Sequence, residues 1–162
     1  MATKKSASAG EQTICVNRQA RHNYFIDEVF EAGLVLVGSE VKSLRDGKAN
    51  LVDSYARIHK GEAFLVNSHI SAYLGANQFN HKPTRLRKLL LHEREIERLT
   101  GKTKEKGLTL VPLRLYSVRG FAKLEIAVAR GKKQYDKRAA ISERESKREL
   151  DRAVKDAFAG GR

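Results

Sequence analysis

Apolar and polar residues alternate with a period of two over several short stretches, separated by glycines and basic turns. Tyr24, Ile26 and, after the charged Glu28, Phe30 alternate with Asp27, Val29 and Glu31. Ala32-Gly33 interrupts this run and Leu34-Val35-Leu36-Val37 resumes it, which reads as a hairpin over 24–37. Tyr55, Arg57 and His59 alternate with Ala56 and Ile58, Lys60-Gly61 turns the chain, and Glu62 to Val66 pairs back as a second hairpin. Thr109, Val111, Leu113 and Leu115 form a further strand, in which Pro112 demands an edge or a bulge because it has no N–H for the ladder. Val118-Arg119-Gly120 turns it into Leu124, Ile126 and Val128, which share one face, with Lys123, Glu125, Ala127 and Ala129 on the other. In Leu89-Leu90-Leu91 the same alternation sends Leu90 opposite to its neighbours.

Helical periodicity is confined to short insertions and to the C-terminus. Ser39 caps a helix through Arg45, with Val41 and Leu44 three apart and Gly47 closing it in the left-handed conformation. His92 to Thr103 places Ile96 and Leu99 on one side of a charged surface. Asn17 caps a single turn, Arg18 to His22, that puts Arg18 and Arg21 on one face. Residues 67–84, with Gly75, several asparagines and Pro83, read as loop. Hairpins of about six strands with two or three short helices suit a small antiparallel barrel of the OB type, not a parallel α/β sheet. From Ser142 to Phe158 the residues favour helix but offer only Leu150, Val154 and Phe158 as an apolar stripe. Such a tail gains little by docking, so it is expected to be disordered alone and helical on a partner, or to serve only as a solubilising extension. The organisation read from the chain is a flexible arm over 1–12, a barrel over 13–130 and a basic tail over 131–162.

Charge changes the picture. The 162-residue chain carries 32 Lys plus Arg against 19 Asp plus Glu, a formal net charge of +13. The tail from Gly131 holds +4 of this, which leaves +9 on the part of the chain before it. A polyanionic partner follows for the barrel itself. Gly131-Lys132-Lys133-Gln134-Tyr135-Asp136-Lys137-Arg138 joins four cations to a ring able to stack on a base, and is either a nucleic-acid contact or a solvated basic linker. Lys82, Arg85, Arg87 and Lys88 crowd a loop entering a buried strand, a place for phosphate contacts or for solubility alone.

Chemistry of other kinds is missing from the pattern. The one cysteine, Cys15, allows no intrachain disulfide and reads as a small apolar residue at the domain edge. His22, His59, His69, His81 and His92 lack metal-ligand spacing, so no metal and no cofactor are expected. No Gly-rich loop precedes a Lys-Ser/Thr pair, and no apolar run approaches the ~18–20 residues of a membrane span. A non-catalytic, cytoplasmic protein that binds RNA, DNA or an anionic membrane is the expectation. The residues leave open a general single-strand-binding barrel, an RNA-processing enzyme and a ribosomal structural protein. Against the first, five Tyr, six Phe and no Trp form no dense strand-borne array.

The ordered set of Asn17-Arg-Gln-Ala-Arg-His22, Phe30-Glu-Ala-Gly-Leu34, Gly38-Ser-Glu-Val-Lys-Ser-Leu-Arg45, Gly47-Lys-Ala-Asn-Leu51, Asp53-Ser-Tyr-Ala56, Pro83-Thr-Arg85, Arg87-Lys-Leu-Leu-Leu91, Gly107-Leu-Thr-Leu-Val-Pro-Leu113, Ala129-Arg-Gly-Lys-Lys133 and Tyr135-Asp-Lys-Arg138 resembles the SsrA-binding protein (small protein B) family. The resemblance implies an OB-like barrel, monomeric in a 1:1 complex with transfer-messenger RNA, that grips the tRNA-like part of that RNA. It implies a grip through Glu31, Leu90 and Lys123, with Asn17, Arg18, Arg21 and His22 on the RNA side; Arg85 and Arg87, from the basic cluster before Leu89, are taken as further contacts on their charge. It also implies that Gly131, Lys132, Lys133, Tyr135, Asp136, Lys137 and Arg138 meet the vacant decoding centre of a stalled ribosome, the tail entering the empty messenger channel as a helix. Many family members carry His where this chain has Tyr135; both rings stack, but Tyr brings no positive charge. Of the grip residues, Leu90 is read either as an apolar RNA contact or as barrel core. Glu31 must accept a hydrogen bond or orient a neighbouring cation.

Overall fold

The computed structural model describes residues 10–159. The chain runs through β1 (Glu11–Val16), α1 (Arg18–Asn23), β2 (Tyr24–Leu34), α2 (Gly38–Arg45), β3 (Ala49–Asn50), β4 (Tyr55–His59), β5 (Glu62–Val66) and β6 (His69–Ile70). A 3-10 turn (Leu74–Phe79), β7 (Arg87–Leu90), α3 (Glu93–Thr103), β8 (Leu108–Val118), β9 (Phe121–Gly131) and α4 (Gln134–Ala159) complete it. The main sheet has the order β1-β8-β4-β5-β7-β2-β9, and β9 pairs again with β8. That second pairing closes a six-stranded antiparallel barrel and leaves β1 outside the ring, on β8. Closure removes the open edges that an antiparallel sheet of this size would otherwise expose.

The barrel interior is filled from the alternating apolar positions. Phe30, Ala32, Leu34, Leu65, Leu89, Leu110, Leu115, Leu124, Ile126 and Val128 form one cluster, which α3 caps with Leu99. On the other face of β8 and β9, Val111, Leu113, Ala127 and Ala129 are covered by Ala20 of α1. The β4–β5 hairpin turns on Lys60 and Gly61 (φ 49° and 74°), and β8–β9 on Arg119 and Gly120 (φ 50° and 82°), as the sequence requires. Gly47 ends α2 at φ 71°. Pro112 sits at a register shift between Pro112 and Arg114, the expected bulge. The thiol of Cys15 packs against the core, where burial pushes its pKa up to about 11 and keeps it unreactive.

Several local expectations are corrected. Residues 24–37 form no hairpin: β2 runs unbroken to Leu34 because Gly33 is paired on both sides, to Leu90 and to Lys123. The change of phase after Glu28 is a bulge in the pairing with β9, between Ile26 and Glu28. Inward-leaning Glu28 then binds Arg98 (2.8 Å) and Lys102 (2.7 Å) of α3. Ser39 does not cap α2. The helix begins at Gly38 and the Val37 amide donates to the Glu40 carboxylate at 3.0 Å, while Ser39 Oγ meets His81 Nδ1 at 2.8 Å. β1 starts at Glu11, so Glu11 and Gln12 lie in a strand paired to β8; the rest of the expected N-terminal arm, apart from Gly10, lies outside the described residues. The tail is one helix from Gln134, not Ser142. Asp136 starts it, its carboxylate accepting the Lys133 amide at 3.1 Å.

Arg87 reverses its sequence reading. It is wholly buried (0 % exposed), as is Glu40 (0 %). Arg87 Nε donates to Glu40 Oε1 at 2.8 Å, and Arg85 donates to both Glu40 oxygens at 2.8 and 2.6 Å. The remaining Arg87 donors reach the carbonyls of Ser68 (2.8 Å) and Pro83 (3.0 Å). Burial alone would raise the Glu40 pKa; bonds from Arg85, the Val37 amide and Arg87 outweigh it and hold the carboxyl below its ordinary value of 4.5.

Removing one partner of a buried ion cluster leaves uncompensated charge, so Glu40→Ala is expected to cost about 3–5 kcal/mol in denaturant unfolding. A depressed carboxyl stabilises the fold above its unfolded pKa and loses that contribution as pH falls through the folded value. Below pH 4.5 the wild-type stability should therefore drop more steeply than that of Glu40→Gln; equal acid limbs would remove Glu40 as the cause.

Candidate nucleic-acid interface

The sequence-predicted residues fall into separate groups. Glu31 and Gly33 on β2, Leu90 on β7 and Lys123 on β9 come together on the outer face of the barrel. Gly33 is opposite Leu90 on one side and Lys123 on the other. A cavity of about 590 Å³ opens among them, lined also by His92, Glu95 and Phe121. Strand alternation resolves the Leu90 question: Leu89 is 1 % exposed and Leu90 55 %. The absence of a side chain at Gly33 lets Leu90 lean across the sheet. A Cβ built at Gly33 would lie 3.2 Å from that of Leu90.

Glu31 is held by its neighbours on the same face. Its carboxylate accepts from the Tyr116 hydroxyl and lies 3.4 Å from Lys123 Nζ. Tyr116 is 2 % exposed, and burial, followed by the Glu31 carboxylate, raises its pKa, so the phenol stays a protonated donor. The Arg114 guanidinium covers the Tyr116 ring at 4.2 Å, donates to Glu125 at 2.7 Å and pairs with Glu11. This lattice answers a sheet problem: Glu31 stands directly opposite Glu125, and adjacent like charges destabilise a sheet unless cations intervene. Tyr116 and Arg114 were missed as site residues, although their alternation with Leu113 and Leu115 signals the outer face.

The α1 group lies elsewhere. Glu31 is seven residues along β2 from Tyr24, about 23 Å at the rise of a strand. Arg18 and Arg21 are exposed and His22 is half-buried. Asn17 is interior, 7 % exposed. Its Oδ1 accepts the Ala20 amide at 3.3 Å and its Nδ2 donates to the Pro112 carbonyl at 3.0 Å, next to the bulge. Asn17 thus ties α1 to β8, and Arg87 ties β7 to α2; neither side chain faces solvent. Arg85 is partly exposed at the rim of the Glu40 cluster.

The junction with the tail forms a third group. Gly131 is the last residue of β9, and the Lys132 amide donates to the Asn23 carbonyl at 2.8 Å. Lys132 Nζ donates to the Arg21 carbonyl at 3.1 Å and lies 5.0 Å from the centre of the exposed Phe25 ring. Tyr135 is 67 % exposed, with Lys133 and Arg138 beside it in sequence and also open to solvent. Further on, Leu150 (66 %) and Val154 (53 %) stand in solvent. Among the described residues, no cluster of side chains could hold a metal ion and no helix is long and apolar enough to cross a membrane.

A closed OB-like barrel with a polar, cationic outer face and a basic helical extension defines the class of small nucleic-acid-binding barrels. The SmpB protein family model matches residues 14–156. The SsrA-binding protein of Desulforudis audaxviator (strain MP104C) is 61 % identical over 145 residues, 90 % of this chain and 95 % of the relative. That of Syntrophobacter fumaroxidans is 59 % identical over 155 residues, 94 % and 96 % of the two chains. A solved chain described as "tmRNA-SmpB: a journey to the center of the bacterial ribosome" is similar at a TM-score of 0.64 and 48 % identity, covering 78 % of this chain and 93 % of that one. The chain belongs to the SmpB family, a family of RNA-binding factors.

Leu90→Ala is expected to lower RNA affinity by about 5- to 10-fold with little change in melting temperature, since an exposed side chain has little core to lose. Tyr116→Phe should lower RNA affinity too, by releasing Glu31. Gel-shift titrations beside thermal melts check both; a large drop in melting temperature for Leu90→Ala with affinity intact would return Leu90 to the core.

Proposed function

We propose that this chain binds the tRNA-like domain of transfer-messenger RNA and delivers it to the acceptor site of stalled ribosomes in trans-translation. The observation that carries this reading is the meeting of Glu31, Leu90 and Lys123 at one outer-face cavity in a chain of the SmpB family. Lys123 neutralises a phosphate, Leu90 offers apolar contact to an unstacked base, and Glu31 accepts from a ribose hydroxyl or base amine. Arg18, Arg21 and His22 extend the contact at the far end of β2, and Arg85 at its rim. The interior positions of Asn17 and Arg87 support an indirect role for both, through the placement of α1 and β7.

The tail acts on the ribosome. Lys133, Tyr135, Lys137 and Arg138 meet the vacant decoding centre, with Gly131, Lys132 and Asp136 setting the direction in which the helix leaves the barrel. As a 26-residue helix α4 spans about 39 Å, enough to enter an adjoining channel. Its exposed apolar stripe and mixed charge suit a partner that covers it. The protein is a recognition factor, not an enzyme; aminoacylation and peptide transfer belong to other components. It works in the cytoplasm, as a monomer in a 1:1 RNA complex.

The reading predicts that affinity for the tRNA-like RNA falls steeply with salt and that Lys123→Ala reduces the slope of log K against log [salt] by about 1. Truncation after Arg138 should leave that affinity nearly unchanged while abolishing peptide tagging on stalled ribosomes. Equal affinity for unstructured oligonucleotides would make the protein a general single-strand binder, and normal tagging by the truncated chain would reduce the tail to a solubilising extension.

A further inference from the structure

The outer face of the barrel does not end at the Glu31–Lys123 cavity. Past Gly33, alternation keeps Val35 (43 % exposed) and Val37 (45 %) on that face, beside Leu86 (47 %) of the neighbouring segment. The Val35 amide donates to the Lys88 carbonyl at 3.0 Å, so the two segments remain paired as they leave β2 and β7. This apolar strip leads to a second open cavity of about 490 Å³, bounded by Val37, Lys42, Tyr73, Phe79, His81 and Arg85. Gly33, which lines the first cavity, and Val37, which lines the second, are only four residues apart in sequence.

The second cavity is built, not incidental. Asn80 clasps the loop across its base: its Oδ1 accepts the Tyr73 amide at 2.9 Å and its Nδ2 donates to the Tyr73 carbonyl at 2.6 Å. Gly75 is needed there, because a Cβ would lie 2.7 Å from the Tyr73 ring. His81 is fixed between Ser39 (2.8 Å) and the Ile70 carbonyl (2.9 Å). The closed loop holds Phe79 outward at 83 % exposure, with no core for its ring to join. Lys42 Nζ stands over the Tyr73 ring at 5.3 Å. Arg85 shares the single charge of Glu40 with Arg87, which leaves one positive charge in excess at the cavity rim.

An exposed aromatic ring on a loop clasped at its base, flanked by a lysine and an uncompensated guanidinium charge, is the arrangement that takes an unstacked nucleotide. We infer that the loop Tyr73–Asn80 is a second RNA subsite, in which Phe79 stacks on one unpaired base and Lys42 and Arg85 take the adjoining phosphate. A cavity of this size accommodates a nucleotide. The occupant is transfer-messenger RNA, because Val35, Val37 and Leu86, with Lys88 between Leu86 and Leu90, carry on to this cavity the same outer face that the proposed function assigns to that RNA. The inference rests on that reading.

The test uses the full-length protein with transfer-messenger RNA. Phe79→Ala should weaken binding about 5- to 150-fold, the range for losing one base–aromatic stack, and leave thermal melting unchanged. Lys42→Ala should lower the salt slope by about 1. The chain has no tryptophan, so Phe79→Trp supplies a single reporter, whose fluorescence should be quenched by saturating transfer-messenger RNA. Unchanged affinity for Phe79→Ala together with an unquenched Phe79→Trp overturns the subsite. Quenching by ribosomes but not by transfer-messenger RNA overturns the choice of occupant. Lys123→Ala, measured alongside, separates the two levels: if it weakens binding and Phe79→Ala does not, only the second subsite falls, and if neither does, the proposed RNA face falls with it.

Discussion

One buried carboxylate organises the side of the barrel where α2, the 67–84 loop and β7 meet. Glu40 projects from α2 into the interior and serves two arginines with a single charge. Arg87 must point inward because Leu89 does, two residues along β7, and an inward guanidinium needs an anion and several carbonyls to be tolerated. Glu40, Ser68 and Pro83 supply these, so α2, the 67–84 loop and β7 are held in one arrangement. Arg85, two residues earlier, shares the same carboxylate from the rim. A cluster of basic residues that composition alone assigns to the surface is thereby split, one guanidinium structural and the other near solvent.

The outer face of β2, β9 and β8 follows a related logic at lower cost. Glu31 and Glu125 are cross-strand neighbours, and Lys123, Tyr116 and Arg114 interleave between them. The result is a polar lattice in which Glu31 is oriented before any partner arrives, which reduces the ordering that binding would require. A carboxylate on the face proposed to meet RNA is then intelligible: it is neutralised in place and offers a directed acceptor. The fully buried Leu124, Ile126 and Val128 beneath it keep this lattice on a rigid support.

The barrel and the helical extension divide two kinds of stability. The barrel is closed by long-range ladders and filled by a continuous apolar core. The extension leaves β9 through two residues, is capped by Asp136, and keeps Leu150 and Val154 exposed. Its helix rests on residue propensity, which is weak in isolation, so it can adapt to a surface that the rigid barrel has positioned.

Local periodicity by itself determined the β4–β5 and β8–β9 hairpins and the α3 helix, and narrowed Pro112 to an edge or a bulge and Leu90 to an RNA contact or barrel core, because side-chain direction in a strand or helix is a local property of the backbone. The ordered motifs likewise made the barrel legible and pointed to Glu31, Leu90 and Lys123, which the fold brings to one outer-face cavity. Local pattern could not say that Gly33 continues a strand, because its partners Leu90 and Lys123 are distant in sequence and supply the ladder from both sides. Nor could it say that Asn17 and Arg87 are interior, that Tyr116 holds Glu31, or that Phe79 is left standing in solvent by the Asn80 clasp. In each case the deciding term is the hydrogen-bonding and packing of a polar or aromatic side chain against elements that only barrel closure brings near, and no periodicity along the chain encodes which elements those are.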